Sequence, residues 1–193
     1  MGMVVCIWCR SKEDSVIGIG NDIPWDEIED KKNFCDIVKD NIVVMGRKTY
    51  ESMSDDFINT NKIYVMSNNK EYEIKNKKLH TLITKQNELR DVEEDLYVSG
   101  GSYVYELFLT GKEALKPHII VDCVYEGEVL KKEGEVIKID NLMGEVEKKY
   151  RRITPFYKKG NVISSVLIKK GEFVEQSVLK RIVGILENKA EVL

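Results

Sequence analysis

The sequence predicts an α/β fold: a mixed, mainly parallel central sheet flanked by helices, with an antiparallel hairpin and an extra helix towards its C-terminal end. Two observations predict it. Short apolar runs recur between polar segments, and several are apolar at consecutive positions, as in strands covered on both faces. Helix-like stretches alternate with them, which calls for crossover connections.

The expected strands are Val4 to Cys9, Ile42 to Met45, Ile63 to Met66, Thr81 to Ile83, Leu96 to Val98 and Ile119 to Val124. The expected helices are Glu27 to Lys39, Lys48 to Met53, a weak one near Lys85 to Leu89, and Ser102 to Leu109. Tyr150 to Tyr157 and Val162 to Lys169 flank the turn-forming Lys158-Lys159-Gly160-Asn161, the pattern of a hairpin added to the sheet. Past Gly171 the spacing becomes helical, with Val174, Val178, Ile182, Ile185 and Leu186 on one stripe. Residues 1–170 therefore read as one domain and residues 171–193 as a helical extension. Its stripe must be covered, either by its own domain or by the same helix of a second copy, which would make a homodimer.

Composition bounds the function. The chain has 193 residues, enough for one substantial core, and 30 basic against 33 acidic residues give a net charge of −3. The charges are interspersed, so general attraction to nucleic acid is not expected. No apolar run approaches the roughly 20 residues that cross a bilayer, and no signal-like start is present, so a cytoplasmic protein is expected. Cys6, Cys9, Cys35 and Cys123 form no disulfide framework. Cys6 and Cys9 are spaced C-x-x-C, but strand geometry sends them to opposite faces, and no metal site is expected.

Three strings carry chemistry. Ile17-Gly18-Ile19-Gly20-Asn21-Asp22-Ile23-Pro24-Trp25 is a glycine-containing loop that leads into a helix. On that helix Asp30 and Phe34 share a face, placing a carboxylate beside an aromatic wall. This suits a flat, nitrogen-rich ring, although a solvated helix face has the same spacing. Val43-Val44-Met45-Gly46-Arg47-Lys48-Thr49-Tyr50-Glu51-Ser52 runs from strand into helix, where free N–H groups and two cations suit a phosphate. Val98-Ser99-Gly100-Gly101-Ser102-Tyr103-Val104-Tyr105 repeats that logic.

In this order and spacing, the segments I-G-x-x-N-x-x-P-W, M-G-R-K-T-Y-E-S-M, I-Y-V-M-S and V-S-G-G-S-Y-V-Y resemble the dihydrofolate reductase family over roughly Met3 to Lys170. The resemblance implies NADPH-dependent reduction of 7,8-dihydrofolate to tetrahydrofolate. It implies that Asp30 holds the pterin and assists protonation of N5, with Trp25 beside it. Ile7, Trp8, Cys9, Lys31, Phe34 and Met53 are implied to line the substrate. Towards NADPH it implies Ile19 and Asn21 in a closing flap, Gly46, Arg47, Lys48 and Thr49 at the phosphates, and Ser67 and Asn68 near the 2′-phosphate. Gly100, Gly101, Ser102, Val104 and Tyr105 are implied near the pyrophosphate and nicotinamide, with a cis peptide between the two glycines.

Five positions depart from the family pattern, one of them Lys31, which stands where an apolar contact to the substrate is usual. Asn61, with Lys62 next to it, stands where an arginine clamps the glutamate tail of folate, so Lys62 is the candidate for that contact. Asp122 stands where a threonine hydroxyl meets the acidic residue, and contact between two carboxylates would raise one pKa. Ser99 and Ser102 flank the glycine pair where apolar residues and glycine are usual. Two other readings share these residues: a reductase of a related pterin or ribosylaminopyrimidine, and a non-catalytic module of the same fold.

Overall fold

A computed structural model describes residues 2–111 and 115–193. In chain order the elements are β1 (Val4–Ser11), β2 (Val16–Ile19), α1 (Ile28–Val38), β3 (Ile42–Gly46), α2 (Arg47–Ser52), α3 (Asp55–Thr60), β4 (Lys62–Met66) and β5 (His80–Ile83). A 3-10 turn at Gln86–Leu89 precedes β6 (Leu96–Val98), α4 (Ser102–Thr110), β7 (Ile119–Tyr125), β8 (Val136–Lys138) and α5 (Asp140–Lys149). The chain continues through β9 (Tyr150–Arg152), β10 (Tyr157–Lys159), β11 (Val162–Lys169), α6 (Gln176–Glu187) and β12 (Glu191–Val192).

The main sheet has the order β12-β10-β11-β7-β1-β6-β3-β4-β5, with β9 also paired to β11. From β7 to β5 the neighbours are parallel, and from β7 to β12 they are antiparallel. The continuous apolar runs are explained by sorting at period two. In β1, Val5 and Ile7 join one buried cluster while Val4, Cys6 and Trp8 join the other; in β3, Val43 and Met45 are sorted from Ile42 and Val44. Helices α1 and α6 cover the first face through Ile37, Val38, Ile182 and Leu186. Helices α4 and α5 cover the second through Phe108, Leu109, Leu142 and Val146.

The expected hairpin differs in its first arm. Instead of one strand from Tyr150 to Tyr157, β9 and β10 each pair with β11 on either side of an interruption at residues 153–156. Pro155 has no N–H for a ladder there, and the Thr154 hydroxyl accepts from the Val166 N–H instead. A small second sheet, β2 with β8, was not foreseen.

The segment after Gly171 closes the domain. Val174, Val178, Ile182 and Leu186 are buried, and β12 extends the sheet edge on β10. The Arg181 guanidinium donates to Ile37 O at 2.7 and 2.5 Å and to Lys39 O at 3.2 Å, so it supplies donors to the C-terminal end of α1. Most of the apolar stripe thus packs within the chain, against α1 and β11, while Ile185 stays partly exposed.

Candidate active site

The C-terminal ends of β1, β3, β4 and β6 open into one cleft of about 1850 Å³. Parallel strands all end at this edge, and the N-termini of the helices that follow them face it. The three strings found in the sequence meet here.

Asp30 lies in the first turn of α1 and is only 9% exposed. Trp25 Nε1 donates to its Oδ2 at 3.1 Å. The indole is fixed in turn by stacking on Tyr125, with ring centroids 4.8 Å apart. Burial raises the Asp30 pKa, while the bonds from Trp25 and from the Cys9 thiol pull it back. Phe34, one turn on, stacks against Phe57 at 5.5 Å and forms the apolar wall with Met53.

Asp122 does not touch Asp30. Strand register pairs Trp8 with Asp122 and Cys9 with Cys123, so alternation turns Cys123 to the Asp30 side and Asp122 to the other. Cys123 lines the cleft; the Asp122 carboxylate instead takes Arg10 at 2.9 and 3.0 Å and Trp8 Nε1 at 2.7 Å. Sequence reasoning missed Cys123, which the β1 register alone would have exposed.

Lys62 is likewise not brought to the cleft. Its ammonium pairs with Glu94 at 2.9 Å on the outer surface. Asn61 does line the cleft, but its amide is spent on Phe57 O at 2.9 Å and Thr60 Oγ1 at 3.1 Å. Lys31 lines the rim and is paired with Asp26 at 2.6 Å.

On the opposite wall, Gly46 donates its N–H to Gly100 O at 2.7 Å, locking the two glycine turns together. The Gly100–Gly101 peptide is cis. Gly100 has φ +97, and a Cβ there would stand 2.9 Å from the Tyr105 ring. The Tyr105 hydroxyl donates to Ile7 O at 2.7 Å, and Trp8 meets its ring edge-on at 5.4 Å. Gly101 caps α4 without a side-chain hydrogen bond, so the helix start, with Gly101, Ser102, Val104 and the nearby Thr49, lines the cleft with its first N–H groups uncapped by any side chain.

Farther along lie Arg47, Lys48, Ser67 and Asn68. Arg47 is held by Glu51 at 2.9 Å and lies over the Tyr72 ring. Gln86, buried and lining this end, was also missed by the sequence reading; its Nε2 has no hydrogen-bond partner among the described residues. Gly100 and Ile19 support the cleft without lining it, whereas Asn21 lines it. Ile19 is buried and bonded to Asp22 across a tight turn, at 2.9 and 3.2 Å. Among the described residues, no group of three or more His, Cys, Asp or Glu side chains could hold a metal.

A family model described as dihydrofolate reductase matches residues 3–130. The chain belongs to the dihydrofolate reductase family. Over 128 residues it is 31% identical to a dihydrofolate reductase of Enterococcus faecium, covering 65% of this chain and 75% of that one. A segment of 112 residues is 32% identical to segregation and condensation protein A of Mycoplasma pneumoniae, covering 55% of this chain and 21% of that protein. Among solved structures, a dihydrofolate reductase from Enterococcus faecalis complexed with NADP(H) and RAB-propyl superposes with a TM-score of 0.68 at 18% identity. That match covers 87% of this chain and 96% of that one, and it shows the fold.

Proposed function

We propose that this member of the family reduces 7,8-dihydrofolate to 5,6,7,8-tetrahydrofolate with NADPH. The observation that carries the reading is Asp30, a carboxylate buried at the cleft floor and oriented by Trp25. A flat pyrimidine-fused ring fits between it and the Phe34 wall, with ring N–H groups meeting the carboxylate. The residues also fit NADPH. The uncapped start of α4 and the glycine turns admit a pyrophosphate against bare backbone, and Arg47 and Lys48 suit the 2′-phosphate. When bound there, NADPH supplies the hydride.

The chain's own residues do the rest. Reduction at C6 leaves electron density on N5, which a proton must quench. Asp30 holds the ring and, with its raised pKa, favours the protonated side of that equilibrium. Trp25 and Cys9 keep the carboxylate pointed into the cleft, and Phe34 and Met53 exclude water from the ring. We place the reaction in the cytoplasm, which four thiols without a disulfide suit.

The test follows NADPH absorbance as purified protein is mixed with dihydrofolate, with the Asp30→Asn variant alongside. Oxidation that depends on dihydrofolate and is depressed in the variant supports the reading. NADPH binding without oxidation sinks it in favour of another pterin or pyrimidine.

A further inference from the structure

Among the described residues that line the cleft, two carry a buried polar atom without a partner, the Gln86 amide and the Ser99 hydroxyl, and of these Ser99 stands beside the glycine pair. Its Oγ is buried and has no hydrogen-bond partner among the described residues, and the residue lies in the cleft wall. Its neighbours are all spent. The Ser99 N–H bonds Val44 O at 2.9 Å, Gly100 O takes the Gly46 N–H, and the Tyr105 hydroxyl is committed to Ile7 O. Leaving a buried hydroxyl unpaired costs about 1–3 kcal/mol, so such a group in a cleft calls for a partner that comes and goes.

Direction selects that partner. Tyr97, two residues earlier on β6, belongs to the buried cluster on the α1 face, and strand alternation carries Ser99 to the same face. That is the face on which α1 holds Asp30 and Phe34, whereas Val104 and Tyr105 belong to the cluster under α4. A ring gripped along one edge by Asp30 still carries polar atoms on its remaining edges, and Ile7, Phe34 and Met53 offer their side chains no hydrogen bond. Ser165, also unpaired, lies outside the cleft and has no such opportunity.

We infer that the Ser99 hydroxyl hydrogen-bonds a polar edge atom of the substrate's flat ring, on an edge Asp30 does not hold, and so sets affinity for oxo- or imino-bearing heterocycles. The inference rests on the dihydrofolate reading of the site. It makes Ser99 a specificity residue that is a burden to the free protein and an asset to the complex, which no purely structural serine would be.

The experiment compares Ser99→Ala and Ser99→Val with the unaltered chain in steady-state kinetics and in melting temperature, measured alone, with NADPH and with dihydrofolate. The expected result for Ser99→Ala is a KM for dihydrofolate raised about fivefold. The KM for NADPH should not change, and the melting temperature without ligand should not fall. Ser99→Val should follow it in affinity. An unchanged KM for dihydrofolate overturns the inference while leaving the proposed reaction intact. A loss confined to NADPH, or a lower melting temperature with both ligands weakened equally, overturns it as well. If the unaltered chain neither binds nor reduces dihydrofolate, the reading of the reaction falls first and the inference falls with it.

Discussion

Trp25 Nε1 stands 3.1 Å from Asp30 Oδ2, five residues apart in sequence and joined across the start of α1. The indole gives the carboxylate a direction but only part of the solvation that burial removes, so the pKa stays raised. Two predictions come from this pair and its neighbours.

Asp30→Asn should lower turnover at neutral pH by roughly 10²–10⁴-fold, the usual worth of a positioned acid or base. Because the folded protein raises the Asp30 pKa, the stability it lends is fully present below the unfolded pKa and is lost as pH rises through the folded one. At neutral pH the ionised carboxylate is therefore a net burden, and the variant should melt higher than the parent. Thermal melts at acid and neutral pH check this, with the gain expected to shrink as pH falls.

Cys9→Ala should move the pH dependence of activity. The Cys9 thiol bonds the Asp30 carboxylate and lowers its pKa. Without it the limb governed by Asp30 should shift to higher pH, whereas Asp122→Asn should leave that limb in place, since Asp122 faces Arg10 and Trp8. Profiles of kcat/KM against pH decide between the two residues.

The contrast between Asp122 and Cys123 shows where the sequence stops being legible. Continuous apolar runs announced the strands of the parallel sheet, and the glycine strings announced both turns. Which residue of Asp122-Cys123 faces Asp30 depends on register with β1, a long-range property that a one-residue slip inverts. Lys62 failed for a similar reason: its partner, Glu94, lies 32 residues away. The β2–β8 pair was hidden because β8 is short and largely exposed, without the apolar run that marks a buried strand. In α5 only Leu142 and Val146 are buried, too sparse a stripe to stand out.

Gly100→Ala should abolish activity while leaving most of the fold. At φ +97 any side chain is strained by roughly 1–3 kcal/mol, and the new methyl would displace the Tyr105 ring. Circular dichroism should stay near that of the parent, and NADPH affinity, read by fluorescence, should fall.

Acid should weaken the fold through its two histidines. His80 sits between the Tyr50 hydroxyl at 2.8 Å and Ile58 O at 2.9 Å, and His118 Nδ1 accepts the Val4 N–H at 3.0 Å. Burial lowers both pKa values. The stability they give is present above the unfolded pKa of about 6.5 and is lost as pH falls through the folded values. Urea midpoints should drop as pH falls below about 6.5, and Tyr50→Phe should cost about 1–3 kcal/mol at neutral pH by stranding the Lys75 N–H.

Arg181→Ala should lower stability by about 1–3 kcal/mol, the cost of stranding the part-buried Ile37 carbonyl at the end of α1. Deleting residues 171–193 should cost more, since Val178, Ile182 and Leu186 each contribute roughly 1.5–3 kcal/mol by burial. Sedimentation of the truncated protein should reveal self-association through the bared α1 face.

The bond from Arg181 to Ile37 spans 144 residues. The helix that carries Asp30 therefore receives its outer cover through one of the longest loops the chain can close, and such closures come late on the way to the native state. Refolding followed by catalysis should lag behind refolding followed by helix content, because the acid-bearing helix forms early but is clamped only when the far end of the chain arrives.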